Sequence, residues 1–236
     1  MFESQGPDIV KHHTSQPAEN KEVRERLLDA AETHFSEKGY EATSIRDLTA
    51  DAGCNVAAVN YHFGGKENLY RQVYQRRCVA LRDIRLKSIE KALSQENGKP
   101  SLQKLLREFA NAFIEPLVQD SGGRRFFVLA VREMLNPRLP EDMLLNEVIN
   151  PVTMSFQDAL MKVCPYLTKI KAHFCSQSVI GQLIQIVRMK AMFDALGQPR
   201  HVHFDMAKAV HHVVEFSTTA IRAYDKGGAS CSEVQQ

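Results

Sequence analysis

The chain has 236 residues, and with 44% hydrophobic residues, 25% charged residues and no tryptophan it has the composition of an ordinary globular protein with a sizeable core, which excludes disordered and fibrous classes. A formal net charge of only +2 means that any surface for a polyanion must be local. The five cysteines, at 54, 78, 164, 175 and 231, show no CxxC spacing and are odd in number, so neither a disulfide framework nor a zinc motif is expected.

In chain order, residues 1–19 are polar and aperiodic with two prolines, the pattern of a flexible arm. They lack the basic-then-apolar pattern of a secretory signal, and no run approaches the roughly eighteen consecutive apolar residues of a membrane span, so a cytoplasmic protein is expected. Asn20 is placed to cap a first helix running to Lys38, with Val23, Leu27, Ala31 and Phe35 at four-residue steps and Gly39 as its stop. Thr43 reads as the N-cap of a short second helix carrying Ile45, Leu48 and Ala52 on one face and ended by Gly53. Asn55 is placed to cap a third, Val56 to Phe63, with Val59 and Phe63 turned inward. Gly64-Gly65 breaks the chain, and a long helix starts at Lys66 and heads towards Ala92.

From Pro100 onward the pattern is helical, punctuated by Gly122-Gly123, Asn136-Pro137, Pro140, Pro165 and Gly197-Gln198-Pro199, with no run of alternating β-branched residues. The expected fold is all-α. A helix-turn-helix three-helix domain over 20–65 leads through the long helix into a ligand-binding and dimerisation bundle over 66–226, followed by a disordered tail, 227–236.

The stretch "NVAAVNYHFGGKENLY", Asn55 to Tyr70, places a glycine pair before a lysine, as phosphate loops do. A nucleotide-binding P-loop needs glycine where Asn60 stands, Ser or Thr where Glu67 stands, and a strand before the loop, so that reading fails on each count. Two short helices joined by "AGCN" instead match a helix-turn-helix. On a helical wheel Ala57, Ala58 and Tyr61 face away from Val59 and Phe63, with Asn60 on the flank. Apart from Tyr61 that outward face is small, so its backbone can approach a major groove closely.

Through "ATSIRDLTADAG" (Ala42 to Gly53) and "NVAAVNYHFGGKENLY" the chain resembles the TetR family of bacterial repressors over roughly Asn20 to Tyr70. The second half is similar to the CecR-type (YbiH-type) subgroup through "VREMLNP", "EVINP" and "SVIGQ". The resemblance implies a dimeric DNA-binding regulator, a repressor released from a palindromic operator by a small-molecule effector, and no enzyme. Phosphate contacts fall to Tyr61, His62, Lys66 and Thr43, with Asn55 at the helix start. Base reading falls to Val56, Ala57, Ala58 and Asn60, with Arg46 reaching in from the second helix: Arg pairs with guanine, Asn with adenine, and small apolar groups meet thymine methyls. Val56 and Ala58 replace residues that are more often polar in the family, which gives DNA shape a larger part.

In the second half Phe109, Phe113, Phe127, Met134 and Phe156 suit an apolar effector cavity, with Arg132, Glu133 and Arg188 as candidate polar contacts. Two late helices are apolar over a wide arc, so Val179, Leu183, Ile186, Val210, Val213 and Phe216 are assigned to a four-helix homodimer interface. Arg71, Arg76, Arg77, Arg82, Arg85 and Lys87 make the long helix basic, which reads as a solvated face. His203 and His211 are too far apart for one ion without further ligands, so no metal and no cofactor is expected, and no Ser-His-Asp or paired-carboxylate arrangement supports catalysis. The competing reading is a constitutive DNA-binding protein with no effector.

Overall fold

The computed structural model describes residues 16–94, 101–118, 121–140, 143, 145–197 and 204–232. Every regular element among them is helical: α1 (Gln16–Ala42), α2 (Ile45–Asp51), α3 (Ala57–Phe63), α4 (Lys66–Ser94), α5 (Leu102–Val118), α6 (Ser121–Leu135), a π-helical turn (Leu145–Ile149), α7 (Asn150–Val163), α8 (Lys169–Leu196) and α9 (Met206–Ser232). The fold is all-α, and among the described residues no helix is long and apolar enough to cross a membrane. By its internal packing the chain divides into two units, Met1–Val73 and Tyr74–Gln236, and α4 runs through the division.

In the first unit the buried face of α1 is the four-residue stripe Leu27, Ala31 and Phe35 joined by Leu28. Leu48 and Ala52 of the second-helix segment, Val59 and Phe63 of α3, and Leu69, Tyr70 and Val73 of α4 complete the core. Helix α1 starts at Gln16, before Asn20, and continues to Ala42, but its backbone leaves helical geometry at Gly39 (φ 80°, ψ 172°), where the stop was expected. The short piece beyond Gly39 carries Tyr40, whose ring lies 5.2 Å from that of Tyr70 and 5.9 Å from that of Phe35. Most of the arm expected over residues 1–19 lies outside the described residues.

In the second unit α5 is the central helix. It packs against α6, α7, α8 and α9, and buries Leu102, Leu105, Leu106, Phe109, Ala110, Phe113, Ile114 and Leu117. Pro116 stands inside α5. Gly122 and Gly123 do not break the chain; they lie in the first turn of α6, and both are buried. A Cβ at Gly123 would overlap the Pro116 carbonyl and one at Gly122 the Arg77 guanidinium, so the pair is a point of close approach between elements. Helix α9 continues to Ser232, past the expected domain end at 226.

Candidate nucleic-acid interface

The second and third helices owe their geometry to their ends. Ser44 caps α2: it is extended (φ −95°, ψ 147°), and its hydroxyl accepts a hydrogen bond from the Asp47 amide at 3.1 Å. Thr43, the expected cap and phosphate contact, is 2% exposed, and its hydroxyl donates to the Gly39 carbonyl at 2.7 Å. The correction has a local cause. The hydroxyl at position 43 satisfies the carbonyl freed where α1 breaks, which leaves the next residue to cap.

Between α2 and α3 the chain turns through Gly53 (φ 62°), with the Cys54 amide donating to the Thr49 carbonyl at 2.9 Å. The carbonyl of Ala52 is held by Arg26 Nε of α1 at 2.9 Å. The side chain of Asn55 accepts from the Ala58 amide at 3.0 Å, the relation of an N-cap to its third helical residue, although regular helix begins only at Ala57. At the other end Gly64 takes a left-handed conformation (φ 72°, ψ 8°), and its amide donates to the Asn60 carbonyl at 2.9 Å. A left-handed residue of this kind closes the helix, and any side chain there adds strain.

This leaves α3 seated by Val59 and Phe63, both buried, with the rest of its surface outward. Val56, Ala57, Asn60 and Tyr61 are exposed, Tyr61 at 75%, and Ala58 and His62 are half-buried. Arg46 is exposed on α2. Asn20 and Val23 of α1 line a shallow depression together with Cys54, Asn55, Tyr61 and His62. Lys66, in the first turn of α4, lies with its ammonium 4.3 Å from the centre of the Tyr40 ring. Tyr40 was not among the expected site residues, yet it fixes the direction of the Lys66 side chain through a cation–π contact. The only signal for it in the sequence is its place just past the helix-breaking Gly39.

Helix α2 is also tied to α1 by side-chain hydrogen bonding: His34 Nε2 lies 2.6 Å from Asp51 Oδ2, and the Lys38 ammonium 3.3 Å from His34 Nδ1. These contacts fix α2, and with it Arg46, against the first helix. Burial pushes the half-buried Cys54 thiol of the turn above its ordinary range.

The residues assigned to an effector in the second unit separate into groups. Phe109 and Phe156 are fully buried and stacked, their ring centres 4.0 Å apart and 8° from parallel, with Phe113 6.1 Å from Phe109. Phe127 instead lines a depression with Leu117, Arg124 and Asp194. Arg188 is exposed on α8 and does not join the aromatic cluster; its neighbour Val187 takes the buried face of that helix. Glu133 accepts the backbone amides of Arg138 and Leu139 at 2.9 and 3.0 Å, which commits it to the turn after α6. Arg132 is half-buried, and the Met134 side chain lies outside the described residues.

The six residues assigned to dimerisation also divide. Val179, Leu183, Ile186, Val210 and Val213 are buried within a single chain, as core between α8, α9 and their neighbours, and only Phe216 is exposed. The inner half of the wide apolar arc is filled by the chain's own helices. The outer half is a groove between α8 and α9 lined by Lys171, Phe174, Ser178, Gln182, Phe216 and Tyr224. Of the two histidines weighed as metal ligands, His203 lies outside the described residues, and His211 pairs with Glu215 at 3.3 Å.

Two family models account for this arrangement. The one for bacterial regulatory proteins of the tetR family matches residues 27–73, and the one for the tetracyclin repressor-like C-terminal domain matches residues 102–220. The chain belongs to the TetR family. Its relatives include the HTH-type transcriptional dual regulator CecR of Shigella flexneri, 27% identical over 136 residues that span 56% of this chain and 60% of CecR. The negative transcriptional regulator IcaR of the biofilm operon icaADBC in Staphylococcus epidermidis is 36% identical over 50 residues, 21% of this chain and 27% of IcaR. Among solved structures, a TetR-family transcriptional regulator from Mesorhizobium loti superposes with a TM-score of 0.64 at 20% identity, covering 86% of this chain and 96% of that one. The fatty acid degradation regulator FadR from Bacillus halodurans gives 0.62 at 17% identity, covering 82% and 97%. Likeness at that identity speaks for the fold alone. The family is one of bacterial regulatory proteins.

Proposed function

We propose that the protein is a homodimeric, cytoplasmic repressor of the CecR-type subgroup that binds a palindromic operator and is released by a small-molecule effector. The observation that carries the reading is α3: two buried side chains hold it, both ends are fixed by backbone hydrogen bonds, and Val56, Ala57, Asn60 and Tyr61 are turned outward. In this reading Asn60 and Arg46 make the base contacts that hydrogen bonds can provide, and Val56, Ala57 and Ala58 pack against thymine methyls. Tyr61, His62 and Lys66 hold phosphates. Asn55 acts through its cap rather than by touching DNA.

In this reading residues 20–65 form the DNA-binding domain and residues 66–226 the ligand-binding and dimerisation domain. The exposed groove of α8 and α9, with Phe174 and Phe216 at its surface, supports pairing with the same groove of a second copy. Two-fold pairing presents two α3 helices to half-sites about one helical turn apart or a multiple of it. An effector acts only through a difference in its affinity for the operator-competent and released states.

Constitutive binding without an effector is the second reading, supported by the tight Phe109–Phe156 stack in the space assigned to a ligand. Selection of sites from random DNA tests both, followed by a screen for compounds that release the protein from the selected site. An enriched palindrome with a releasing compound supports the repressor. A palindrome with no releasing compound turns the reading to constitutive binding, and the absence of any enriched palindrome overturns both.

A further inference from the structure

We propose that Arg85 is the anion anchor of an effector site inside the second unit, and that the site takes an organic carboxylate with an apolar body. The inference rests on the effector reading above and adds the chemistry of the ligand. Cys78, Arg82 and Arg85 recur at i, i+4 and i+7 and so share one face of α4. Arg82 is matched by two carboxylates: its Nε donates to Asp83 at 3.1 Å and its Nη1 to Glu147 at 3.4 Å. Glu147 belongs to the π-helical turn, a wide turn often retained at functional sites.

Arg85 has no such partner. It is 7% exposed, its Nε donates to nothing, and no carboxylate among the described residues pairs with it. Its guanidinium carbon lies over the Phe113 ring, 4.0 Å from the ring centre. Burial lowers its proton affinity to about 10, so it remains charged at neutral pH. Cys78 is no counter-ion, since burial pushes that thiol up to about 12. An isolated buried charge is costly, and a ring face offsets only part of that cost.

The geometry also selects the ligand. A planar guanidinium offers an in-plane fork to a bidentate acceptor, which suits a carboxylate. One unmatched positive charge calls for one negative charge. Phe113 adjoins the stacked Phe109 and Phe156, so the wall beside the guanidinium is aromatic.

The test uses the full chain without DNA and the probe pair decanoate and decanol, which share a chain length and differ in the carboxylate. Calorimetry is expected to show decanoate bound at least tenfold more tightly than decanol. Arg85→Met is expected to lose that preference, keep decanol binding and melt no lower than the native chain. If Arg85→Met does not fold, Arg85→Lys carries the test: a point charge without the fork is expected to bind decanoate severalfold more weakly with decanol unchanged. Equal binding of the two probes by the native protein, or a preference that survives in the variant, overturns the anchor. Operator release is read separately. Decanoate held through Arg85 with no loss of operator binding leaves the anchor standing and removes the effector reading. No decanoate preference in a protein whose operator another compound releases overturns the anchor and leaves the effector reading intact.

Discussion

Lys66 and Asn60 illustrate the division of labour proposed for the first unit. In that reading the Lys66 ammonium, aimed by Tyr40, supplies charge and no base discrimination. Lys66→Ala is expected to weaken binding to all DNA sequences alike and to reduce the slope of log affinity against log salt by about 1. Asn60→Ala is expected to shift sequence preference at one position of each half-site, read by repeating the site selection, with little change in salt slope. The thiols give a pH prediction. Burial raises Cys78 to about 12 and Cys164 to about 11, above the ordinary value of 9.0. A group whose pKa is raised on folding contributes stability below its unfolded value and loses it as pH rises. The melting temperature should therefore fall from about pH 9 upward, and Cys78→Ala should make that decline shallower.

At the scale of elements, the helix ends decide what the unit can present. Asn55→Ala removes the side-chain bond to the Ala58 amide and is expected to cost about 0.5–2 kcal/mol in denaturant unfolding, with Asn55→Ser restoring most of it. Phe156→Ala, which opens a cavity beside Phe109, is expected to cost about 3–5 kcal/mol. The elements were legible where a local rule governs them. The periodicity of Leu27, Ala31 and Phe35, the break at Gly39 and the cap at Asn55 all follow from short-range sterics and hydrogen bonding. What escaped depends on contacts that periodicity and residue type do not show. Thr43 and Ser44 are equally good caps on paper, and the carbonyl freed at Gly39 chooses between them. Gly122-Gly123 reads as a break until Pro116 and Arg77 are seen against it. Arg85 reads as one more solvated charge on a basic helix, because nothing local marks it as buried.

For the whole molecule, the same limit bears on the proposed dimer face. An apolar stripe says that a helix is covered, not by what, and Val213 and Phe216, on neighbouring apolar sets of α9, differ in fate: Val213 is buried within the chain and Phe216 is 58% exposed. Phe216→Glu is expected to give a folded monomer by sedimentation that binds a half-site weakly, whereas Val213→Glu, which buries an unpaired charge, is expected to unfold the bundle. A dimeric Phe216→Glu would remove the α8 and α9 groove as the interface. The mounting of α3 has a consequence over evolutionary time. Val59, Phe63, Asn55 and Gly64 hold the helix, while Val56, Ala57, Asn60 and Tyr61 are exposed. Substitutions at these exposed positions leave the core untouched, so a duplicated copy of the protein can drift to a new operator without first losing its fold.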